Sequence, residues 1–389
     1  MKRVGLIDNL RNPDEFLAKR LDVASAQEVL TATGGNTGNV AFVYGTRRLI
    51  ENPITRIDWG LTPDVVRHRV DHIVVCCANQ LGQHADLGDW AADLERFDLP
   101  VTLVGLGAQS KDLQTEPVIP AGTAKFLETV GRLNGALASN ISVRGDFTRA
   151  FLARKRIDAA ALGCPSQFIA SSRSLGKAVL NSQDKRTVER IAVAAGNPWH
   201  TESAALERVL VEIVEQYRGE YVLQHPEEMF QFALADVDGI GEATTKRFLE
   251  VYGERFTKAS LLAWYRQNSC FFVDAPNWLR FLSKFDLALG PRYHGVALAI
   301  QAGIPGTVIT IDSRTTELCA GTGIKSLPVA TALKMTAIEL IDASRWTDED
   351  AMRFDLNRVD KARGYVQFIE DNGLQPSSHL RNLTVMAAA

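Results

Sequence analysis

The chain has 389 residues, of which 46% are hydrophobic and 23% charged, and its formal net charge is −3. This length exceeds one ordinary hydrophobic core, so we expect two domains. A charge so close to zero gives no global field that would draw the chain to nucleic acid or to an anionic membrane.

The five cysteines show neither a disulfide pattern nor a metal-type spacing with histidine. This usage is typical of a reducing compartment. The first residues lack the apolar segment of a signal peptide, and no run approaches the ~20 apolar residues of a spanning helix. We therefore expect a cytoplasmic protein, with the inner face of the membrane as the alternative location, no integral membrane segment and no nucleic-acid partner.

The first half alternates short β-branched runs with helix-like segments. Residues 72–80, 101–110 and 141–152 each begin as a buried strand and break at Gly, Asn or Asp, and residues 160–169 close the pattern. The segments between them carry apolar residues at helical spacing. This alternation predicts a parallel, doubly wound sheet.

A polar stretch at residues 171–187 is predicted to be a linker. The alternation then restarts, with strand ends within 189–199 and 220–229 and an amphipathic helix over 202–217. Residues 346–389 resemble one or two helices that end at an Asn-Gly stop.

These patterns predict an α/β fold with two Rossmann-like, doubly wound domains facing a cleft. The predicted domains cover residues 1–175 and 186–345, and a helical segment over 346–389 packs near their junction. A cleft between two such domains is the default ligand site.

Two glycine-rich segments lie in the first half. Thr33 to Asn39 precede a helix predicted to begin at about Val40, and glycines let backbone N–H groups face one ligand. An anion or substrate loop and an ordinary turn both fit this segment. Gly105 to Ser110 resemble a dinucleotide fingerprint but lack its third glycine, which favours tight packing near the cleft over nucleotide binding.

Polar side chains at other strand ends are further candidates. Arg144 could fork onto a phosphate or a carboxylate, although a surface pair with Asp146 also fits. His225 could line the cleft, although a surface histidine is the commoner outcome. Asp236 to Asp238 match a metal-binding DxD motif but do not follow a strand, so no metal is predicted.

The most informative segment runs from Asp286 to Ser313. A strand ends at Gly290, and Arg292 and His294 follow it at the start of a small apolar helix. Ligands bind at the carboxyl ends of strands in open α/β sheets. A fixed cation and an imidazole two residues apart suit an anionic substrate that needs a proton moved. A structural arginine and a satisfied histidine are the alternative, and the apolar flanks favour a function.

Taken together, these segments resemble the polysaccharide pyruvyl transferase family over about residues 30–320. The family motifs are matched, in chain order, by Gly35 to Asn39, Gly105 to Ser110, Ser142 to Asp146, Gly163-Cys164-Pro165, Arg292 with His294, and Gly303-Ile304-Pro305. The chain departs from the family pattern at Asn39 and Cys164, where Asp is commoner, and by the insertion of Gly145.

The resemblance implies two domains similar to glycosyltransferase-B architecture. It also implies transfer of a pyruvyl group from phosphoenolpyruvate to two hydroxyls of a free or lipid-linked sugar, giving a cyclic ketal without a metal or another cofactor. His294 is then the expected general acid, and Arg292 and Arg144 are expected to hold the donor. The other candidate substrate-binding residues are Asn36, Gly38, Gln109 and His225, with Asn36 and Asn79 on the expected acceptor side.

Two other functions stay open at this point. A nucleotide-sugar glycosyltransferase of the same architecture would bind a nucleoside diphosphate and ignore phosphoenolpyruvate. A non-catalytic glycan-binding relative would keep its function when His294 is replaced by Ala.

Overall fold

The structure is a computed structural model that describes residues 1–11, 24–135, 138–185, 187–253 and 255–386. Its first sheet has six strands: β1 (Val4–Ile7), β2 (Ile54–Arg56), β3 (His72–Cys76), β4 (Val101–Leu106), β5 (Ile141–Val143) and β6 (Ala160–Ala161). The helices of this part are α1 (Ala26–Ala32), α2 (Asn39–Leu49), α3 (Pro63–Arg69), α4 (Gly88–Phe97), α5 (Ala121–Arg132) and α6 (Asp146–Arg154), followed by a 3-10 turn at Pro165–Phe168.

The second sheet also has six strands: β7 (Ile191–Ala194), β8 (Glu220–Val222), β9 (Ser269–Cys270), β10 (Leu287–Gly290), β11 (Gly306–Thr310) and β12 (Ser326–Pro328). Its helices are α7 (Leu175–Asp184), α8 (Leu206–Gln216), α9 (Glu227–Leu234), α10 (Glu242–Tyr252), α11 (Lys258–Asn268), α12 (Ala275–Leu282), α13 (Tyr293–Gln301), α14 (Ser313–Thr322), α15 (Val329–Ala332) and α16 (Ala337–Ala343). The chain closes with α17 (Asp348–Asp371) and α18 (Ser378–Asn382).

Both sheets are parallel and doubly wound, which confirms the predicted α/β class. The strand orders are β2-β1-β3-β4-β5-β6 and β12-β11-β10-β7-β8-β9. The order therefore reverses between β1 and β3 in the first sheet and between β7 and β10 in the second. Ligands of such sheets bind outside the carboxyl ends of the strands at these reversal points.

The facing sides of the two sheets share one continuous hydrophobic cluster, which we call the shared core. It includes Val74 and Val104 from the first sheet and Ala192 and Val308 from the second, all buried. The outer side of each sheet packs on its own separate cluster. The two halves therefore meet through a large apolar contact.

Both ends of the chain cross the junction between the halves. Helix α1 contributes Val29 and Leu30 to the cluster on the outer side of the second sheet. In the opposite direction, Tyr365 of α17 packs its ring edge-on against Phe168 at 5.3 Å and donates a hydrogen bond to the Gly163 carbonyl. Helix α17 thus contacts the first half at Phe168 and Gly163, while the predicted domain boundaries and the extent of the C-terminal segment stay predictions.

One predicted element is wrong. Residues 175–184, expected to be part of a polar linker, form α7 and bury Leu175 and Val179. The amides of Gly176 and Lys177 in its first turn donate to the Asp355 carboxylate, which satisfies donors that a helix start leaves free. This helix contact comes from a distant part of the chain, so local composition did not reveal it.

The halves are also joined by hydrogen bonds next to the cleft. Glu317 of α14 accepts from the backbone N–H of Thr148 at 2.6 Å and from its hydroxyl at 2.7 Å. This carboxylate therefore caps the start of α6 from the other half. The Ser313 hydroxyl accepts from the Ser110 amide at 3.0 Å and donates to its carbonyl at 2.8 Å.

Among the helices of the described ranges, none is long and apolar enough to cross a bilayer.

Candidate active site

Two adjoining cavities open between the carboxyl ends of the two sheets. The larger has a volume of about 910 Å³ and the narrower one about 50 Å³. The side chains shared by both are Asn36, Asn79, Arg292 and Arg314. The loops after β3, β7 and β10 all reach these cavities, so the site lies at the reversal points of both sheets.

Arg292 is the N-terminal flanking residue of α13, directly after β10. Its guanidinium donates to the His225 carbonyl at 2.8 Å and to the Gly196 carbonyl at 3.3 Å. No carboxylate of the described residues lies within ion-pair distance of it. Burial, with help from nearby Arg314, lowers the pKa of Arg292 to about 10. The side chain still carries its charge at neutral pH and is held by dipoles alone.

Arg144 approaches the narrow cavity from the first half. It is 3% exposed, and its Nε donates to the Gly105 carbonyl at 3.0 Å. The predicted surface pair is absent, because Asp146 binds Arg149 at 2.8 Å instead. Arg144 also lies 5.7 Å from the Phe42 ring centroid. A second cation without a carboxylate partner in the described structure therefore faces the same cavity.

His294 lies in the first turn of α13 and lines the narrow cavity with both arginines. Its Nε2 is 3.6 Å from the Cys164 sulfur, which in turn accepts a hydrogen bond from the Ser166 hydroxyl at 3.1 Å. Because the serine donates to the sulfur, the thiol proton is free to point at Nε2. When the thiol donates to Nε2, the proton of a neutral imidazole lies on Nδ1.

The other ring nitrogen of His294 faces Gly38. A Cβ built on Gly38 would lie 3.1 Å from His294 Nδ1 and 2.5 Å from the Gln224 side-chain oxygen, so only glycine fits here without displacement. Burial lowers the pKa of His294 well below its usual value, and the positive charges of Arg144 and Arg314 lower it further. The imidazole is therefore neutral until an anion enters the cavity.

The glycine-rich segment forms a tight loop ahead of α2. The Asn36 side chain accepts from the Gly38 amide at 2.8 Å, and the Thr37 amide donates to the Gln224 carbonyl of the other half at 3.2 Å. Asn39 donates to the carbonyls of Thr33 at 2.9 Å and Gly34 at 3.2 Å. An aspartate could not donate these bonds, so Asn39 holds the loop closed in a way that the commoner family residue could not.

The remaining predicted residues line the larger cavity. Gln109 accepts a hydrogen bond from Asn79, so two loops of the first half are joined there. His225 lies against Arg292, and burial together with that cation lowers the pKa of His225 to about 4. His225 is therefore a neutral group at physiological pH. The structure thus brings Asn36, Gln109, His225 and Arg292 to one cavity, and Arg144 and His294 to its narrow extension.

Sequence reasoning missed three side chains of the site. Arg314 follows β11, pairs with Asp312 at 3.3 Å and lies one residue beyond the segment from Asp286 to Ser313. Gln224 lines the narrow cavity, and its buried Nε2 has no hydrogen-bond partner among the described residues. Trp199 lines the larger cavity with 40% of its surface exposed. All three follow strand ends: Arg314 comes after β11, Gln224 after β8 and Trp199 after β7, and this position is the signal that could have found them.

This arrangement can bind a small polyanion and move one proton. Three arginines, two of which have no carboxylate partner among the described residues, and one unpaired amide converge on a cavity that also holds a neutral imidazole. An entering anion would favour the imidazolium, so ligand binding and protonation of His294 are coupled. The adjoining larger cavity leaves room for a second, bigger substrate.

A sequence model of the polysaccharide pyruvyl transferase family matches residues 36–313, which is more than half of the chain. The match spans the glycine-rich loop, Arg144, Cys164 and the segment with Arg292 and His294. Among curated protein sequences, no significant match was found.

Several solved structures align with almost the whole chain at low identity. UDP-GlcNAc 2-epimerase from Methanocaldococcus jannaschii is 12% identical and covers 94% of this chain and 100% of its own, with a TM-score of 0.45. The same enzyme from Neisseria meningitidis is 11% identical and covers 95% and 100%, with a TM-score of 0.45. The glycosyltransferase SnogD from Streptomyces nogalater is 14% identical and covers 96% and 99%, with a TM-score of 0.36.

Proposed function

The chain belongs to the polysaccharide pyruvyl transferase family, and from this premise we propose that it transfers the pyruvyl group of phosphoenolpyruvate to two hydroxyls of a sugar. The product is a cyclic ketal on a glycan or a glycan precursor. The observation that carries this proposal is the meeting of Arg144, Arg292 and His294 at one narrow cavity.

The donor binds through its two anionic groups. Phosphoenolpyruvate carries a phosphate and a carboxylate, and guanidinium groups match both by paired hydrogen bonds. Arg144 donates to backbone carbonyls, and Arg292 donates to backbone carbonyls and lies 3.5 Å from His225 Nδ1. Each can therefore turn donors to a ligand without breaking an ion pair. The free amide of Gln224 adds one more donor.

Catalysis then starts with a proton on His294. Its Nδ1 proton passes to the methylene carbon of the donor, and the enol carbon becomes an oxocarbenium-like centre. A sugar hydroxyl forms a bond to that carbon and loses its proton, and the bond from carbon to the phosphate oxygen breaks. The second hydroxyl closes the ring and loses its proton. One hydroxyl proton restores His294 and the other leaves with the phosphate, so protons balance.

The experiment that tests donor binding is thermal stabilisation by phosphoenolpyruvate, compared with stabilisation by UDP-glucose. A ligand that binds only the folded chain raises the unfolding midpoint once its concentration exceeds its dissociation constant. We expect phosphoenolpyruvate to stabilise the wild type and to have no effect on Arg292→Gln. The matched control is Arg149→Gln, because Arg149 is an exposed arginine that pairs with Asp146 at the surface.

The outcomes separate the candidate functions. Stabilisation by UDP-glucose alone would favour a nucleotide-sugar glycosyltransferase, and no stabilisation by either ligand would oppose the donor site. If phosphoenolpyruvate stabilises Arg292→Gln as well as wild type, the assignment of the donor site is wrong. Transfer itself is read as phosphate release together with a sugar product heavier by one pyruvic acid less one water.

A further inference from the structure

The loop after β7 carries an aromatic side chain into the larger cavity. The amide of Trp199 donates to the Asn197 side chain at 3.0 Å, and the carbonyl of Pro198 accepts from Arg247 at 2.8 Å. The Trp199 ring meets the Phe248 ring edge-on, with centroids 6.3 Å apart. The backbone bonds and the ring contact hold the indole in place, yet 40% of its surface stays exposed.

The surroundings of this indole are polar. The cavity wall beside it carries Asn197, His200 and Glu202 from the same loop, and Gln83 lies on the wall from the other half. An apolar ring surrounded by amides and a carboxylate suits a ligand with one apolar face and polar edges. A pyranose has this shape, because its axial C–H groups form an apolar face while its hydroxyls point outward.

The cavity has room for such a ring in addition to the donor. Its volume of about 910 Å³ is at the upper end of the ~300–1,000 Å³ typical of ligand pockets. Phosphoenolpyruvate is a three-carbon acid held at the narrow extension, so it leaves most of the larger cavity empty.

The indole is also within reach of the reacting centre. The Gly196 carbonyl accepts from Arg292 at 3.3 Å, and Trp199 follows only three residues later. Three residues span at most about 11 Å. A sugar ring on Trp199 can therefore present its hydroxyls to a donor bound at Arg292.

We propose that Trp199 is the floor of the acceptor subsite and that a neutral pyranose stacks its C–H face on this indole. Asn197 is placed to accept or donate hydrogen bonds at the ring hydroxyls, and the Glu202 carboxylate is placed to accept them. The subsite lies in the second half of the chain, across the cavity from Asn79. The role of this subsite in binding the acceptor rests on the proposed function. Binding of a pyranose to Trp199 does not depend on it.

The test uses saturation-transfer difference NMR, which observes the sugar and needs no activity. The probes are the methyl pyranosides of glucose, galactose and mannose, with sorbitol as a polyol that has no ring face and uridine as a planar base. We compare wild type, Trp199→Ala and Trp199→Phe. The matched control is Trp90→Ala. The Trp90 ring stacks on the Trp59 ring with centroids 4.6 Å apart, and Trp90 does not line the cavity.

We expect at least one pyranoside to receive saturation mainly at the protons of one ring face, and sorbitol to receive none. Trp199→Ala should weaken its binding about tenfold, a typical loss for an aromatic stack, while Trp199→Phe and Trp90→Ala bind it within about threefold. Equal binding by wild type and Trp199→Ala would overturn the proposal. So would the absence of saturation for all three pyranosides, or saturation of uridine alone.

Stabilisation by phosphoenolpyruvate is measured on the same variants. Unchanged donor stabilisation in Trp199→Ala, together with weaker sugar binding, assigns the loss to the acceptor subsite. If phosphoenolpyruvate fails to stabilise wild type while the pyranoside still stacks on Trp199, the proposed reaction fails and the sugar subsite stands.

Discussion

Replacing Cys164 by Asp should raise the pKa of His294. In the wild type, burial and the charges of Arg144 and Arg314 all disfavour the imidazolium, and the thiol 3.6 Å from Nε2 supplies no opposing charge. The neighbouring rings of Phe42 and Tyr293 are uncharged as well. A carboxylate at position 164 would add the missing negative charge.

The size of the effect follows from the short distance. Two opposite charges about 4 Å apart attract by about 4 kcal/mol at an effective dielectric constant of 20, which is about 3 pH units at 1.36 kcal/mol each. Desolvation of the new carboxylate opposes part of this attraction. The Ser166 hydroxyl, which now donates to the sulfur at 3.1 Å, can donate to the carboxylate instead. We therefore expect the pKa of His294 to rise by about 1 to 3 pH units.

The assay is a pH titration of histidine-labelled protein by NMR. The chain has only 7 histidines, and the His294→Gln spectrum identifies the resonance. Cys164→Ser is the control, because it keeps a small neutral side chain beside Nε2. Equal midpoints for His294 in the Asp and Ser variants would refute the reasoning. Proton uptake on binding of phosphoenolpyruvate, measured by calorimetry in two buffers, should also be smaller in Cys164→Asp.

Three further changes have defined outcomes. Gly38→Ala should lower turnover by tenfold or more with the fold intact, because the new methyl group enters the space between the His294 imidazole and the Gln224 side-chain amide. Glu317→Ala should lower the free energy of unfolding by about 2 kcal/mol, since it leaves the buried amide of Thr148 unpaired. Burial lowers the pKa of His72 to about 4 in the folded chain. As the pH drops below about 6.5, His72 is protonated in the unfolded chain before it is protonated in the folded one, so the free energy of unfolding should fall. His72→Gln should remove up to about 3 kcal/mol of that loss.

Each of these expectations has its own control. Gly131→Ala adds a methyl group where no atom lies within 4 Å, so it should leave turnover unchanged; equal losses in the two glycine variants would contradict the steric argument. Calorimetry at pH 7 measures the effect of Glu317→Ala, and an unchanged midpoint would show that the cross-junction cap adds no stability. For His72, parallel pH–stability curves of wild type and variant would exclude the linkage.

The fold class was accessible from the sequence because the buried strands are nearly continuous apolar runs. The β3 segment is buried at every position, which is typical of a parallel sheet covered on both faces. Strand β1 was overlooked, since its four residues stand beside polar segments and give no periodicity of their own. The sequence predicts a linker where α7 lies, because the partner that stabilises this helix, Asp355, lies about half the chain away.

The candidate site was accessible only where chemistry and strand ends coincide. Arg292 and His294 follow β10 directly, so their position alone indicated a shared edge. The pairing of Cys164 with His294 joins residues 130 positions apart, and no local pattern encodes such a contact. Trp199 follows the end of β7, but a function for an exposed loop aromatic can be inferred only from the cavity around it.

The shared core has a consequence for how the chain is made. Neither sheet can bury its inner face completely before the other sheet has folded against it. Helix α1 lies near the start of the chain but packs on the second sheet, which is synthesised much later. The two halves should therefore unfold in a single cooperative transition. If the chain were cut near residue 186 and the halves were produced separately, each would expose an apolar face and aggregate, whereas co-expression should let them rejoin.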